Sequence, residues 1–113
     1  MSMIIIFTET STKEQLTEVT RIYHGYTKVV VDIKRDLLVA GGEYRIDCEQ
    51  ILLANGSIQT DLWGGGFRFE SKEVDFMGLT NYKPNINHFS YEITRLEIRE
   101  NVERTIRRVF DNE

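Results

Sequence analysis

A chain of 113 residues fits one domain of common size, long enough to build a core without disulfides or metal staples. Hydrophobic residues at 41% and charged residues at 28% exclude a disordered or low-complexity chain, and a net charge of −4 disfavours a nucleic-acid binder, which needs a clustered positive face. One cysteine, Cys48, excludes an internal disulfide and a multi-cysteine metal cluster; it suits a reducing cytoplasm and reads as a small buried apolar residue.

In chain order, Met3 to Phe7 is a continuous apolar run rich in β-branched residues and predicts a first strand. It is too short for a signal-peptide core and lacks a basic lead-in, and no stretch of the chain is long and apolar enough to span a membrane. Ser11 and Glu14 stand at capping-box spacing, so a helix is expected over about Thr12 to His24, with Leu16, Val19 and Tyr23 on its apolar stripe. Gly25 supplies the left-handed residue that commonly ends a helix, and His24 in the last turn suits the helix dipole better than a catalytic role.

The rest of the chain is organised around Lys28 to Glu43. Val29, Val31 and Ile33 point one way and Val30 the other; after the charged break Lys34-Arg35-Asp36, Leu37 and Val39 alternate with Leu38 and Ala40. Neither face is polar enough to meet water, so this hairpin must be covered on both sides. The strand-helix-strand order before it predicts a right-handed crossover with Met3 to Phe7 and Lys28 to Ile33 parallel. Asp47 is a fitting N-cap for a short helix through Cys48, Ile51 and Leu52, ended by Asn55-Gly56.

Trp63 to Phe69 reads as a strand in which Gly64, Gly65 and Gly66 mark a bulge or a close backbone approach. Val74, Phe76 and Tyr82 continue a second hairpin until Pro84 stops the strand near Lys83. Ile98, Val102, Ile106, Val109 and Phe110 then recur at helical spacing after a Thr94 cap, which makes a final helix that closes the core. The expected architecture is a single α+β domain over residues 1–113: a mixed sheet of about five strands in the order βαββαββα, with helices packed on the sheet.

Chemistry is harder to find. Arg95, Arg99, Arg104, Arg107 and Arg108 on the last helix read as a solvated, self-paired face, since Glu100 precedes Arg104 and Glu103 precedes Arg107 by four residues. Asp47, Glu49, Asp61, Asp75 and His88 offer acid, base or ligand groups, but their spacing matches no metal or catalytic motif and no residue pattern calls for a cofactor. The best candidate surface joins Ser57 to Asp61 with Asn81 to His88. Antiparallel pairing brings Gln59, Asp61, Asn81 and Lys83 to one edge, with Trp63 as an apolar floor. The structural alternative is a salt bridge between Asp61 and Lys83 with Trp63 in the core.

GGEYRID at Gly41 to Asp47, GSIQTDLWG at Gly56 to Gly64 and TNYKP at Thr80 to Pro84 resemble the motifs GGELHAD, GS-x-Q-x-DLWG and INIRP of a small prokaryotic domain family of unknown function. The resemblance runs from about Val29 onward and maps the polar positions Glu43, Asp47, Gln59, Asp61 and Asn81. It implies no activity. Arg45 stands where the family has a histidine, which removes a base or ligand, and Lys83 replaces an arginine, which keeps the charge without the bidentate fork.

The reading favours a cytoplasmic, non-enzymatic binding or interaction module with Gln59, Asp61, Trp63, Asn81 and Lys83 as its contact surface. Its expected partner is a protein or a small molecule, with membranes and nucleic acid disfavoured and a homodimer through an open strand edge as a further option. The alternative is a small hydrolase or nuclease that uses Asp61 with His88 or Asp47.

Overall fold

The computed structural model describes residues 4–111. Its elements are β1 (Ile5–Phe7), α1 (Lys13–Val19), β2 (Tyr26–Asp32), β3 (Leu37–Ala40), α2 (Arg45–Ala54), β4 (Leu62–Arg68), β5 (Glu73–Asp75) and α3 (Leu96–Phe110), with 3₁₀ turns at Gln59–Asp61, Leu79–Asn81 and Pro84–Ile86. The α+β class and the order βαββαββα follow the alternation read from the sequence. Met3, the expected start of the first strand, lies outside the described residues.

The five strands form one sheet in the order β1-β3-β2-β4-β5. The hairpin return strand sits between β1 and β2, so those two run in the same direction without touching, and every neighbouring pair is antiparallel. The sheet is therefore antiparallel rather than mixed. Its centre is β2, paired with β3 from Val29 to Asp32 and with β4 along its whole length. The hairpin turn is held by Asp32, whose buried carboxylate accepts the Lys34 and Arg35 amides, both at 3.0 Å, and the Ser57 hydroxyl at 2.6 Å. A buried charge so fully partnered is scaffold.

Strand alternation divides the apolar side chains as expected. Val29, Val31, Leu38, Ala40, Trp63 and Phe67 meet Val102, Ile106, Val109 and Phe110 of α3, with Val19 of α1 at the margin. On the other face Val30, Val39 and Leu62 meet Cys48 and Leu52 of α2. Burial raises the Cys48 thiol to about 11, which keeps it protonated and unreactive near neutral pH.

Several boundaries differ from the sequence reading, each for a local reason. Helix α1 ends at Val19, before His24, because the Thr17 and Thr20 hydroxyls bond back to the carbonyls of Lys13 and Leu16 and compete with the helix ladder. His24 is exposed and outside the helix, and Gly25, at φ +72°, serves the turn into β2. The capping box falls one residue later, on Thr12 and Gln15, because both hydrogen bonds of Ser11 go to the Val109 carbonyl of α3. Asp47 lies in the first turn of α2 rather than at its N-cap and accepts the Tyr44 amide at 3.3 Å.

A further difference places the site. Strand β5 stops at Asp75 instead of running on to Lys83, and the Asn81 side chain replaces it as the partner of β4. Its carbonyl accepts the Gly64 amide at 2.7 Å and its NH₂ donates to the carbonyls of Gly64, Phe76 and Tyr91 at 3.0 to 3.1 Å. One buried amide thus satisfies the edge of β4 and frees the following segment to fold into 3₁₀ turns. Thr94 does not cap α3: its amide donates to His88 Nε2 at 3.2 Å.

Candidate functional site

The glycines of β4 create the room. A Cβ at Gly66 would stand 1.9 Å from the Tyr26 hydroxyl, and one at Gly65 would stand 2.5 Å from the Asp75 carbonyl. The pairing of β4 with β2 is regular, so the close approach predicted at these positions is present and a bulge on that side is not. Into the approach reaches Arg45, which donates to the Gly65 carbonyl at 2.8 Å and to the Tyr26 hydroxyl at 3.0 Å, with Asp75 at 3.5 Å. Tyr26 donates to the other Asp75 oxygen at 2.6 Å. Burial, then the Asp75 carboxylate, raises the Tyr26 phenol well above its ordinary value, so it remains a donor at any physiological pH.

Beside this network, a cleft of about 460 Å³ opens between the start of α2 and the 3₁₀ turns Gln59–Asp61 and Leu79–Asn81. Its rim is apolar and exposed: Tyr44, Ile46 and Leu79 keep 56%, 51% and 76% of their surface in water. Its deeper wall is polar, with Arg45, Gln59, Thr80 and Glu49; Glu49 is only 7% exposed and accepts the Thr80 hydroxyl at 2.7 Å.

Of the residues singled out by sequence, Gln59 lines this cleft and the others lie around it. Trp63 and Asn81 are fully buried. Lys83 is buried too, and its ammonium donates to the Gln59 carbonyl at 2.7 Å and lies 5.0 Å from the centre of the Trp63 ring. The Asp61 to Lys83 salt bridge is not formed; Asp61, half-buried, acts on Lys83 through its charge alone. Burial lowers the Lys83 ammonium to about 8, against the opposing pull of Glu49 and Asp61. The Trp63 indole N–H has no hydrogen-bond partner among the described residues, a cost of about 1 to 3 kcal/mol.

His88 is held at both ring nitrogens. Nδ1 lies 2.7 Å from the Asn81 carbonyl, which can only accept, so Nδ1 carries the hydrogen and Nε2 receives the Thr94 amide. Its ring also meets Trp63 edge-on at 5.0 Å. Asp47 is occupied with the α2 N-terminus, and Glu43 contributes its carbonyl to the Tyr23 hydroxyl. Among the described residues no three of His, Cys, Asp and Glu gather closely enough to hold a metal ion.

The arginines of α3 are largely tied to the protein itself. Arg107 pairs with Glu103 at 2.8 Å and Asp111 at 3.0 Å, Arg99 with Glu92 and Arg108 with Asp36 at 3.1 Å, and Arg95 donates to the Ile86 carbonyl. The Glu100 to Arg104 pair predicted by the same spacing is not formed among the described residues, and Arg104 stays exposed.

Sequence reasoning missed the rim of the cleft. Ile46 and Leu79 were the available signal, since each is a large apolar residue that belongs to no core stripe. It also missed a surface aromatic group in which the Tyr82 ring stands 6.2 Å from Phe89 and 5.5 Å from Tyr91.

Fold and site together define an α+β domain with a half-apolar cleft at the mouth of its second helix. The chain belongs to a family of proteins of unknown function (DUF5674), whose model matches residues 4–109. Comparison with curated proteins gave no match, and neither did comparison with solved structures. No helix among the described residues is long and apolar enough to cross a membrane.

Proposed function

We propose that the chain is a non-catalytic binding module and that the cleft between α2 and the two 3₁₀ turns is its contact site. The observation that carries this reading is the pairing of an exposed apolar rim, Tyr44, Ile46 and Leu79, with a buried polar wall at Glu49 and Thr80. Ligand sites commonly join apolar walls to a few fixed polar groups. Gln59 is the contact residue retained from the sequence reading; Asp61, Trp63, Asn81 and Lys83 hold the wall behind it. The lone buried Cys48 fits a reducing, cytoplasmic setting.

The hydrolytic alternative draws no support from His88, whose ring nitrogens are both engaged, or from Asp47, whose carboxylate accepts the Tyr44 amide at the start of α2. The test is a fragment screen by amide chemical-shift mapping on the intact protein. Hits should move the amides of residues 44–49, 59 and 79–80. A screen whose hits leave these amides unmoved, or gather at Tyr82, Phe89 and Tyr91, would overturn the assignment of the site.

A further inference from the structure

Resting on that reading, we propose that the cleft recognises an organic cation, an ammonium or guanidinium group carried on an apolar stem, with Glu49 as its counter-charge. Glu49 as a residue is more than nine-tenths buried, yet it lines the cleft. One carboxylate oxygen accepts the Thr80 hydroxyl. The other receives no donor among the described residues and is not fully enclosed, in a residue that lines the cleft. A carboxylate withdrawn from bulk water with one oxygen free is poised to accept a charge-assisted hydrogen bond.

The neighbouring cations leave that oxygen free. The Arg45 guanidinium is spent on the Gly65 carbonyl, the Tyr26 hydroxyl and Asp75. The Lys83 ammonium is directed to the Gln59 carbonyl and the Trp63 ring, and it feels Glu49 and then Asp61 through charge without a hydrogen bond to either. With Glu49 added, the local sum is negative, as is that of the whole chain at −4. Tyr44, Ile46 and Leu79 offer apolar contact to the stem, and the Tyr44 ring already draws the Lys28 ammonium to 5.5 Å of its centre, as aromatic faces draw cations. An anion would meet a carboxylate, and a purely apolar ligand would leave its oxygen desolvated without a donor.

The experiment titrates the intact protein, by amide chemical shifts, with three probes of matched length: hexylammonium, hexanol and hexanoate. A parallel arm compares butylguanidinium with the capped tripeptides Leu-Arg-Leu and Leu-Gln-Leu. The expected order is cation over alcohol over carboxylate, with Glu49→Gln weakening the cation about tenfold and leaving the alcohol unchanged. Glu49→Gln keeps an acceptor for Thr80, and the comparison among probes on the unaltered chain needs no variant to fold. Hexanol or hexanoate binding in the cleft as tightly as hexylammonium would overturn the cation assignment while leaving the cleft as a site. No binding by any probe would remove the binding reading itself. A tripeptide with arginine that outdoes butylguanidinium by tenfold or more assigns the cation to a protein chain, and comparable affinities assign it to a free small molecule.

Discussion

On one face of the sheet, α3 lays fifteen residues, about 22 Å of helix, over Val29, Val31, Trp63 and Phe67, and α1 closes the margin. On the other face α2 has ten residues, about 15 Å, and covers Val30, Val39 and Leu62 before it ends. Beyond that small apolar cluster the same face carries the Arg45, Tyr26 and Asp75 network and then the cleft. The difference shows how a site arises here. Where side chains from sheet and helix match in extent, the face becomes core. Where the helix is shorter than the sheet beneath it, buried polar groups and exposed apolar ones are left side by side.

The strongest way to break this comparison is to end the chain after Glu97. Removing nearly all of α3 uncovers the larger face, and no cooperative unfolding transition should remain by circular dichroism. A soluble, cooperatively folded product would make the α3 face dispensable. A finer cut compares equal truncations on the two faces. Ile106→Ala, inside the closed cluster, should cost about 4 kcal/mol and Leu52→Ala, in the smaller cluster beside the cleft, about 2 kcal/mol, by denaturant unfolding. Equal losses would mean that both faces are packed alike.

Lys83 joins the two faces, lying on the Trp63 ring and bonding the Gln59 carbonyl. Its ammonium titrates near 8 when folded and 10.5 when unfolded, so the unfolded chain binds more protons between those values. Its stability contribution is full above 10.5, falls as pH drops through that window, and is flat below 8. Between pH 8 and 9 the wild type should therefore gain about 1 kcal/mol relative to Lys83→Met. Cys48, raised from 9.0, and Tyr26, raised from 10.0, act in the opposite sense at higher pH, and the difference from the variant cancels them. A pH-independent difference would show that Lys83 keeps an ordinary ammonium. The smallest effect belongs to the outer side of α3. Glu103→Ala, which breaks an exposed pair with Arg107, should change stability by about 0.5 kcal/mol or less.

Much of the larger face was legible in the sequence, because strict alternation in Val29 to Val31 and helical spacing from Ile98 to Phe110 are long-range signals. The glycines of β4 were legible too, as a place where something comes close. The extent of α1 was not, since threonine hydroxyls that turn back on the helix leave no trace in hydrophobic spacing. Nor was the path from Phe76 to Lys83. Alternation continues there on paper, while in space a single Asn81 side chain takes over the strand's hydrogen bonds. The site shared that fate. Gln59 was reached by pairing strand ends, Glu49 was seen as an acid without a place, and the apolar rim had no periodic pattern to announce it.

The stem of Arg45 lies against two glycines from different parts of the chain. A Cβ at Gly64 would stand 3.0 Å from its Cδ and one at Gly78 would stand 2.7 Å away. The guanidinium beyond that stem is fastened at Gly65, Tyr26 and Asp75, so the arginine has little freedom to step aside. Positions 45, 64 and 78 therefore form a single unit of inheritance. With arginine at 45, alanine is shut out of position 78 and crowded at position 64; with a shorter residue at 45, a single alanine at either would meet the other glycine's Cα at an ordinary 3.5 to 3.7 Å. Drift at these three sites is constrained to be joint.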